Sequence, residues 1–132
     1  MSSELYWLTL AVCLLGLSWL PYILQLIVQQ GVVQAVWDPT GVHPHDADWA
    51  HRAARAHSNA VENMAVFAPL VLIVEVLGLN SGATATAAIV YFFARVAHYI
   101  IYTAAIPVLR TLAFAVGVGC QVVFALRILG VI

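Results

Sequence analysis

A polar stretch inside an otherwise apolar part of the chain carries side chains that could bind a charged ligand. They are Arg52, Arg55, Asn59, Glu62 and Asn63. An α-helix turns by about 100° per residue, which places these side chains within an arc of roughly 100°. Because charged side chains are costly to expose to lipid, this polar stripe needs a partner, either elsewhere in the protein or on a ligand.

A second polar face lies farther along the chain, at helical spacings i, i+4, i+7 and i+11. Its members are Tyr91, Arg95, His98 and Tyr102. One interpretation is that the two faces satisfy each other, with Arg95 pairing Glu62 and Asn59 bonding a tyrosine hydroxyl, as in polar contacts between membrane helices. The alternative is that they line a functional site, because ionisable groups within a membrane usually mark function.

The residue types indicate which ligand such a site would take. Arginine binds carboxylates through two parallel hydrogen bonds, and Arg52, Arg55 and Arg110 are all expected near one membrane surface. Glu62 would bind an ammonium group, and Asn59 an amide. A ligand with carboxylates and an amine fits this set, and glutathione is one such ligand.

The composition requires lipid as the solvent and excludes several functional classes. Of the 132 residues, 64 % are hydrophobic and 8 % are charged, far from the composition of soluble domains. A net charge of −1 argues against nucleic-acid binding.

Potential metal ligands are concentrated in one polar segment. They are His43, His45, Asp46, Asp48 and His51. No H-E-x-x-H pattern or cysteine pair accompanies them, and polar residues at a membrane interface need no metal to explain them. We therefore expect no metal site.

Apolar runs predict an all-α integral membrane protein, a four-helix up-down bundle in a single domain covering residues 1–132. The spans are expected at about 5–28, 50–79, 83–106 and 108–132, each long enough for a hydrocarbon core of roughly 30 Å. Pro21 is expected to kink the first span. The polar segment from Gln29 to about Trp49 is predicted to be a loop.

Four spans place the first and third connections on one side of the membrane. That side holds Arg52, Arg55 and Arg110, so the positive-inside rule predicts that it is cytoplasmic. A bacterial inner membrane is the expected location.

Three motifs carry a resemblance to a known family. Residues Arg52–Asn63, followed by Pro69, resemble the signature R-x-x-R-A-x-x-N-x-x-E-N of the MAPEG family, the membrane-associated proteins in eicosanoid and glutathione metabolism. The segment Arg95–Tyr102 resembles the third-span motif of the prostaglandin E synthase branch, and Arg110-Thr111 follows at nearly the family spacing. The resemblance covers all four spans.

The resemblance implies a homotrimer that binds glutathione between neighbouring protomers and acts as a transferase or peroxidase on lipophilic substrates from the membrane lipid. It implies that Arg110 stabilises the glutathione thiolate, the actual nucleophile, and that Thr111 supplies a hydroxyl beside it. The implied cofactor-binding residues are Arg52, Arg55, Asn59, Glu62, Arg95, His98 and Tyr102.

Two positions depart from the family pattern. Phe114 stands where the prostaglandin branch has a tyrosine. The segment Gln25–Val36 carries no cation, whereas studied members supply one there to a neighbour's ligand. The second departure favours an alternative, a non-enzymatic lipid-binding or scaffold protein with the same fold.

Three further interpretations concern packing. His57 is expected to make a packing or interprotomer contact, and Glu75 is expected to pair with Arg127 across the far surface. The Gly117-x-Gly119 pattern is interpreted as a site of close helix packing.

Overall fold

The computed structural model describes residues 1–38 and 44–132 and is helical throughout its regular elements. Four helices or helix pairs are long and apolar enough to cross a membrane, which confirms the predicted number of spans. The helices are α1 (Ser3–Leu17), α2 (Leu20–Gln30), α3 (Val32–Trp37), α4 (Asp48–Val76), α5 (Gly82–Thr103) and α6 (Pro107–Ile128).

Local sequence signals explain where several helices begin and end. Ser81 caps α5 with a capping box, in which its side chain accepts from the Thr84 backbone N–H and the Thr84 hydroxyl accepts from the Ser81 backbone N–H. Gly78 follows α4 with φ of +65°, a conformation that glycine adopts without strain and that ends helices. Pro107 opens α6 at a position where its missing N–H costs nothing.

The first span contains a break in the turn before Pro21. The helix ends at Leu17 and restarts at Leu20, and the Ser18 hydroxyl donates to the carbonyls of Leu14 and Leu15 at 2.8 and 2.9 Å. Pro21 lies in the first turn of α2, where proline is tolerated. Pro21 lacks the N–H that would bond the Leu17 carbonyl, so the interruption between Leu17 and Leu20 lies where this proline is expected to kink the span.

The predicted loop from Gln29 to Trp49 is wrong over part of its length. It contains α3, and α4 already begins at Asp48. Gly31, with φ of +85°, separates α3 from α2. No side chain of α3 is buried. Val33 and Trp37 are among the most exposed apolar residues of the described chain.

The spanning helices pack antiparallel around an aromatic centre. The Phe67 ring of α4 stacks on the Tyr91 ring of α5 with 3.5 Å between centroids, and Phe124 of α6 meets Phe67 edge-on at 5.5 Å. All three side chains are fully buried. This centre holds α4, α5 and α6 in register and leaves polar groups above and below it.

The antiparallel arrangement gives the bundle two ends, which we name by their helix termini. The open end is formed by the start of α4, the end of α5 and the start of α6. The closed end is formed by the start of α1, the end of α4, the start of α5 and the end of α6. Contacts between Arg52 and Thr103 at the open end, and between Ser2 and Glu75 at the closed end, define this geometry.

Candidate functional site

A polar cavity of about 370 Å³ lies at the open end between α4 and α5. The structure brings four of the predicted site residues together in it. Its lining residues are Arg55, Ser58, Asn59, Glu62 and Tyr102. Ser58 was not predicted, although its position one helical turn after Arg55 could have indicated it.

The aromatic side of the cavity connects it to α6. The Arg110 guanidinium lies over the Tyr102 ring, with Cζ 4.6 Å from the ring centroid. The Tyr102 ring lies 5.5 Å from the buried His98 ring, which lies 6.4 Å from Phe114. Arg110 therefore adjoins the cavity through Tyr102, and cation–π attraction favours this position.

The charged groups of the cavity lack protein partners. Arg55, Glu62 and Arg110 make no hydrogen bond or ion pair with any residue that the structure describes, although Arg110 contacts the Tyr102 ring. Arg55 and Glu62 are exposed on the surface of the chain. Two cations and one anion are thus available to a ligand or to a neighbouring protein.

The depth of Glu62 makes its lack of a partner significant. Glu62 lies at the midpoint of α4, which has 29 residues and is about 43 Å long at 1.5 Å per residue. A hydrocarbon core of about 30 Å includes this midpoint unless the helix is displaced by more than about 15 Å. A carboxylate at that depth needs a compensating charge or water.

Arg95 occupies the interior beneath the cavity and does not pair with Glu62. It is 5 % exposed, and its Nη1 donates to Asn59 Oδ1 at 3.5 Å. Its Nε and Nη2 have no hydrogen-bond partner within the described part of the chain. Gly117 of α6 faces it, and a Cβ on this glycine would be in ordinary van der Waals contact with the guanidinium at 3.7 Å. The interpretation that Arg95 pairs with Glu62 is therefore wrong, and Asn59 is the acceptor instead.

Arg52 and Thr111, both predicted for the site, bond to the backbone. Arg52 Nε donates to the Thr103 carbonyl at 2.9 Å and so ties the start of α4 to the end of α5. Thr111 Oγ1 donates to the Pro107 carbonyl of its own helix at 3.1 Å. Neither side chain lines the cavity, and the functional role given to each stays a prediction.

The expected packing contacts have mixed outcomes. His57 Nδ1 and the Tyr22 hydroxyl are hydrogen-bonded at 2.7 Å, which joins α4 to α2 within one chain. Gly117 packs closely against Arg95, as predicted, but nothing approaches the Cβ position of Gly119 within 4 Å. The predicted pattern is therefore confirmed at its first glycine only.

The expected Glu75–Arg127 pair is wrong, because both groups have other partners at the closed end. Glu75 Oε2 accepts from the Ser2 hydroxyl at 2.7 Å and from Asn80 Nδ2 at 2.9 Å. Arg127 donates to the carbonyls of Leu79 and Ile132 at 2.9 and 3.0 Å. Leu79 lies in the connection between α4 and α5 and Ile132 lies beyond α6, so Arg127 supplies donors to carbonyls outside the helices.

The described part of the polar segment before α4 is held by α2. His45 Nδ1 donates to Gln25 Oε1 at 2.7 Å, and Gln29 Nε2 donates to the Pro44 carbonyl at 3.1 Å. Burial lowers the pKa of the His45 imidazole, and nearby His51 lowers it further. His43 lies outside the described residues, among which no three potential ligands are grouped to hold a metal.

Comparison with known proteins identifies one family. A sequence model described as the MAPEG family matches residues 9–130. No curated protein and no solved structure matches the chain significantly. The matched residues include every side chain that lines the cavity.

Proposed function

The chain belongs to the MAPEG family, and from this premise we propose that it is a glutathione-dependent membrane enzyme whose cofactor site is the cavity at the open end. The family includes glutathione-dependent transferases and commonly uses glutathione. The proposed reaction is transfer to, or reduction of, a lipophilic electrophile or hydroperoxide that enters from the bilayer.

The observation that carries the proposal is the set of charges without partners. At neutral pH glutathione carries two carboxylates and one ammonium group. Arg55 can bind a carboxylate, Glu62 can bind the ammonium group, and Arg110 can stabilise the ionised thiol. These interactions would also supply the partners that charges at membrane depth need. The ligand therefore offers a group of opposite charge to each of these three side chains.

The residues have distinct roles in this proposal. Glutathione supplies a thiolate as the nucleophile. The positive charge of Arg110 favours that ionised form, and the Tyr102 ring keeps the guanidinium beside the cavity. Glu62 and Arg55 bind the polar ends of the ligand, so that the position of the thiol is fixed. Thr111 is proposed as the hydroxyl partner of the thiol, a role that requires its hydroxyl to release the Pro107 carbonyl, to which it donates in the structure.

The site is proposed to be completed by neighbouring protomers of a homotrimer. Arg55 and Glu62 are exposed in the single chain, and a midspan carboxylate cannot remain facing lipid. A neighbouring chain would close the cavity on that side and exclude lipid from it. The open end is proposed to face the cytoplasm.

Isothermal titration of the purified protein with glutathione tests the proposal. We expect saturable binding that Glu62→Gln weakens about tenfold or more, because the ammonium loses a charged acceptor. Asp48→Asn is the matched control, since this exposed carboxylate lies on the same helix outside the cavity. Absence of binding to the unaltered protein, or equal effects of the two substitutions, would contradict the proposal.

A non-enzymatic lipid-binding protein is the second candidate. The absence of a cation from Gln25–Val36 and the exposed valines and tryptophan of α3 favour it. It predicts lipid that copurifies with the protein and is retained when glutathione is added. Displacement of that lipid by glutathione would favour the enzyme instead.

A further inference from the structure

A chain of side-chain amides leads from α6 to the cavity. Gln121 Nε2 donates to the Asn63 carbonyl at 3.2 Å and to Asn63 Oδ1 at 3.4 Å. Asn63 Nδ2 in turn donates to the Asn59 carbonyl at 2.9 Å and to Asn59 Oδ1 at 3.3 Å. Asn63 is 8 % exposed, so its amide has little access to solvent and depends on these protein partners.

The donors around Asn59 determine which way its amide points. Arg95 Nη1 also contacts Asn59 Oδ1, at 3.5 Å, and a guanidinium can only donate hydrogen bonds. The atom that faces Arg95 and Asn63 must therefore be the oxygen of Asn59. The Asn59 nitrogen makes no hydrogen bond with any described residue, and Asn59 lines the cavity. The N–H₂ group is thus left for a ligand.

We infer that Asn63 and Gln121 are positioning residues that, together with Arg95, hold the Asn59 amide so that its nitrogen donates into the cavity. The site then requires an oxygen acceptor of the ligand at this point, a peptide carbonyl or a carboxylate. This specificity rests on the proposed function, whereas the orientation of Asn59 does not. Neither Asn63 nor Gln121 touches the cavity.

The alternative is that these amides only join α4 to α6. Hydrogen bonds between membrane helices do stabilise bundles, and removing one would then lower stability without changing the cavity. The two roles differ in one respect. If Gln121 positions Asn59 through Asn63, replacing Gln121 should also change the side chain of Asn59, to which Gln121 makes no hydrogen bond.

Side-chain amide spectra test the orientation without any ligand. The chain contains three asparagines, at positions 59, 63 and 80, so ¹⁵N-asparagine labelling gives three N–H₂ signals that single substitutions assign. In Gln121→Met we expect the Asn63 and Asn59 signals to move and the Asn80 signal to stay, because Asn80 bonds Glu75 at the closed end. An unchanged Asn59 signal overturns the inference.

Glutathione affinity tests the specificity. We expect Gln121→Met to weaken binding roughly threefold to tenfold, the value of one hydrogen bond. Gln34→Met is the matched control, because Gln34 is exposed on α3 far from the amide chain. A loss of thermal stability with unchanged affinity and an unchanged Asn59 signal would assign a structural role. If the unaltered protein binds no glutathione but the Asn59 signal moves, the proposed function fails and the positioning role stands.

Discussion

The two ends of the bundle contain the same kinds of ionisable side chain in opposite situations. At the closed end, the buried Glu4 carboxyl accepts from the Thr84 hydroxyl at 2.6 Å, and Glu75 and Arg127 each have two partners. At the open end, Arg55 and Glu62 have none among the described residues. Polarity alone therefore does not distinguish a structural cluster from a candidate site, whereas the presence of partners does.

At the closed end the ionisable side chains stabilise the fold through partners within the chain. At the open end Arg55 and Glu62 have no such partners among the described residues and are available to a ligand or a second protomer. Every polar group withdrawn from water without a partner is costly in a bilayer. The closed end avoids that cost within a single chain. The open end leaves it to be offset from outside, by a ligand or by a neighbouring protomer.

The largest expected effect follows removal of the cation beside Tyr102. Arg110→Ala should reduce glutathione conjugation to an electrophilic aryl halide by on the order of 100-fold, because the nucleophilic thiolate is no longer favoured at neutral pH. The ultraviolet absorbance of the bound thiolate should fall with it. Arg127→Ala removes the same residue type from the closed end and should retain the activity. Similar rates for the two variants would show that the arginines of the two ends do not differ in function.

The largest stability effect is expected at the closed end. Thr84 is fully buried, and Thr84→Val would leave the Glu4 carboxyl without this donor, at a cost of about 1–3 kcal/mol in the free energy of unfolding. Reversible unfolding in detergent measures it, and glutathione affinity should not change. Thr86→Val is the control, since Thr86 is exposed on the same helix. Equal losses for both threonines would show that the buried hydrogen bond is unimportant.

A smaller effect is expected on the free energy of unfolding when Arg127 and Arg110 are each replaced by alanine. Arg127→Ala should lower the free energy of unfolding by about 1 kcal/mol, because the Leu79 and Ile132 carbonyls lose their donors. Arg110→Ala should lower it less, since Arg110 makes no hydrogen bond with a described residue. The thermal midpoints of the two variants can be compared directly. If Arg110→Ala is the less stable variant, the open end has a structural role as well.

The smallest effect concerns His45, in the segment that leads into the open end. Its folded-state pKa lies below the ordinary value of 6.5, so the folded protein binds fewer protons than the unfolded chain. Neutral His45 therefore contributes its full share of stability above about pH 6.5, and that share is lost as the pH falls through the lower pKa that His45 has in the folded protein. His45→Gln should reduce the acid-induced fall in thermal midpoint. His51→Gln should largely keep that fall, because burial is the main cause of the shift.

Much of the architecture could be predicted because lipid imposes a simple rule on sequence. Long apolar runs revealed the four spans, and helical spacing correctly placed Arg55, Asn59 and Glu62 on one face. Helical periodicity is informative here because a charge within a span must be sheltered. Tyr102 was likewise assigned to the facing helix.

Pairing was the part that the sequence could not reveal. Opposite charges suggested Glu62 with Arg95, but the nearer acceptor for Arg95 is the neutral Asn59. Glu75 similarly bonds Ser2, which is remote in sequence. The partner that a polar side chain bonds depends on distances between helices, and the periodicity of the sequence gives no information on those distances. The short helix α3 was missed because it packs on little besides α2 and leaves no periodic burial pattern.

The position of Glu62 also constrains how the chain enters a membrane during synthesis. A charged side chain near the centre of a helix opposes its transfer from the translocon into lipid by about 2.5–3.5 kcal/mol. α4, and α5 with its buried Arg95, are therefore both poorly suited to insert alone. The connection between α4 and α5 comprises only residues 77–81, so the two helices can be released as a pair in which Tyr102 and α5 shelter one side of the polar stripe. Biogenesis and binding then depend on the same carboxylate.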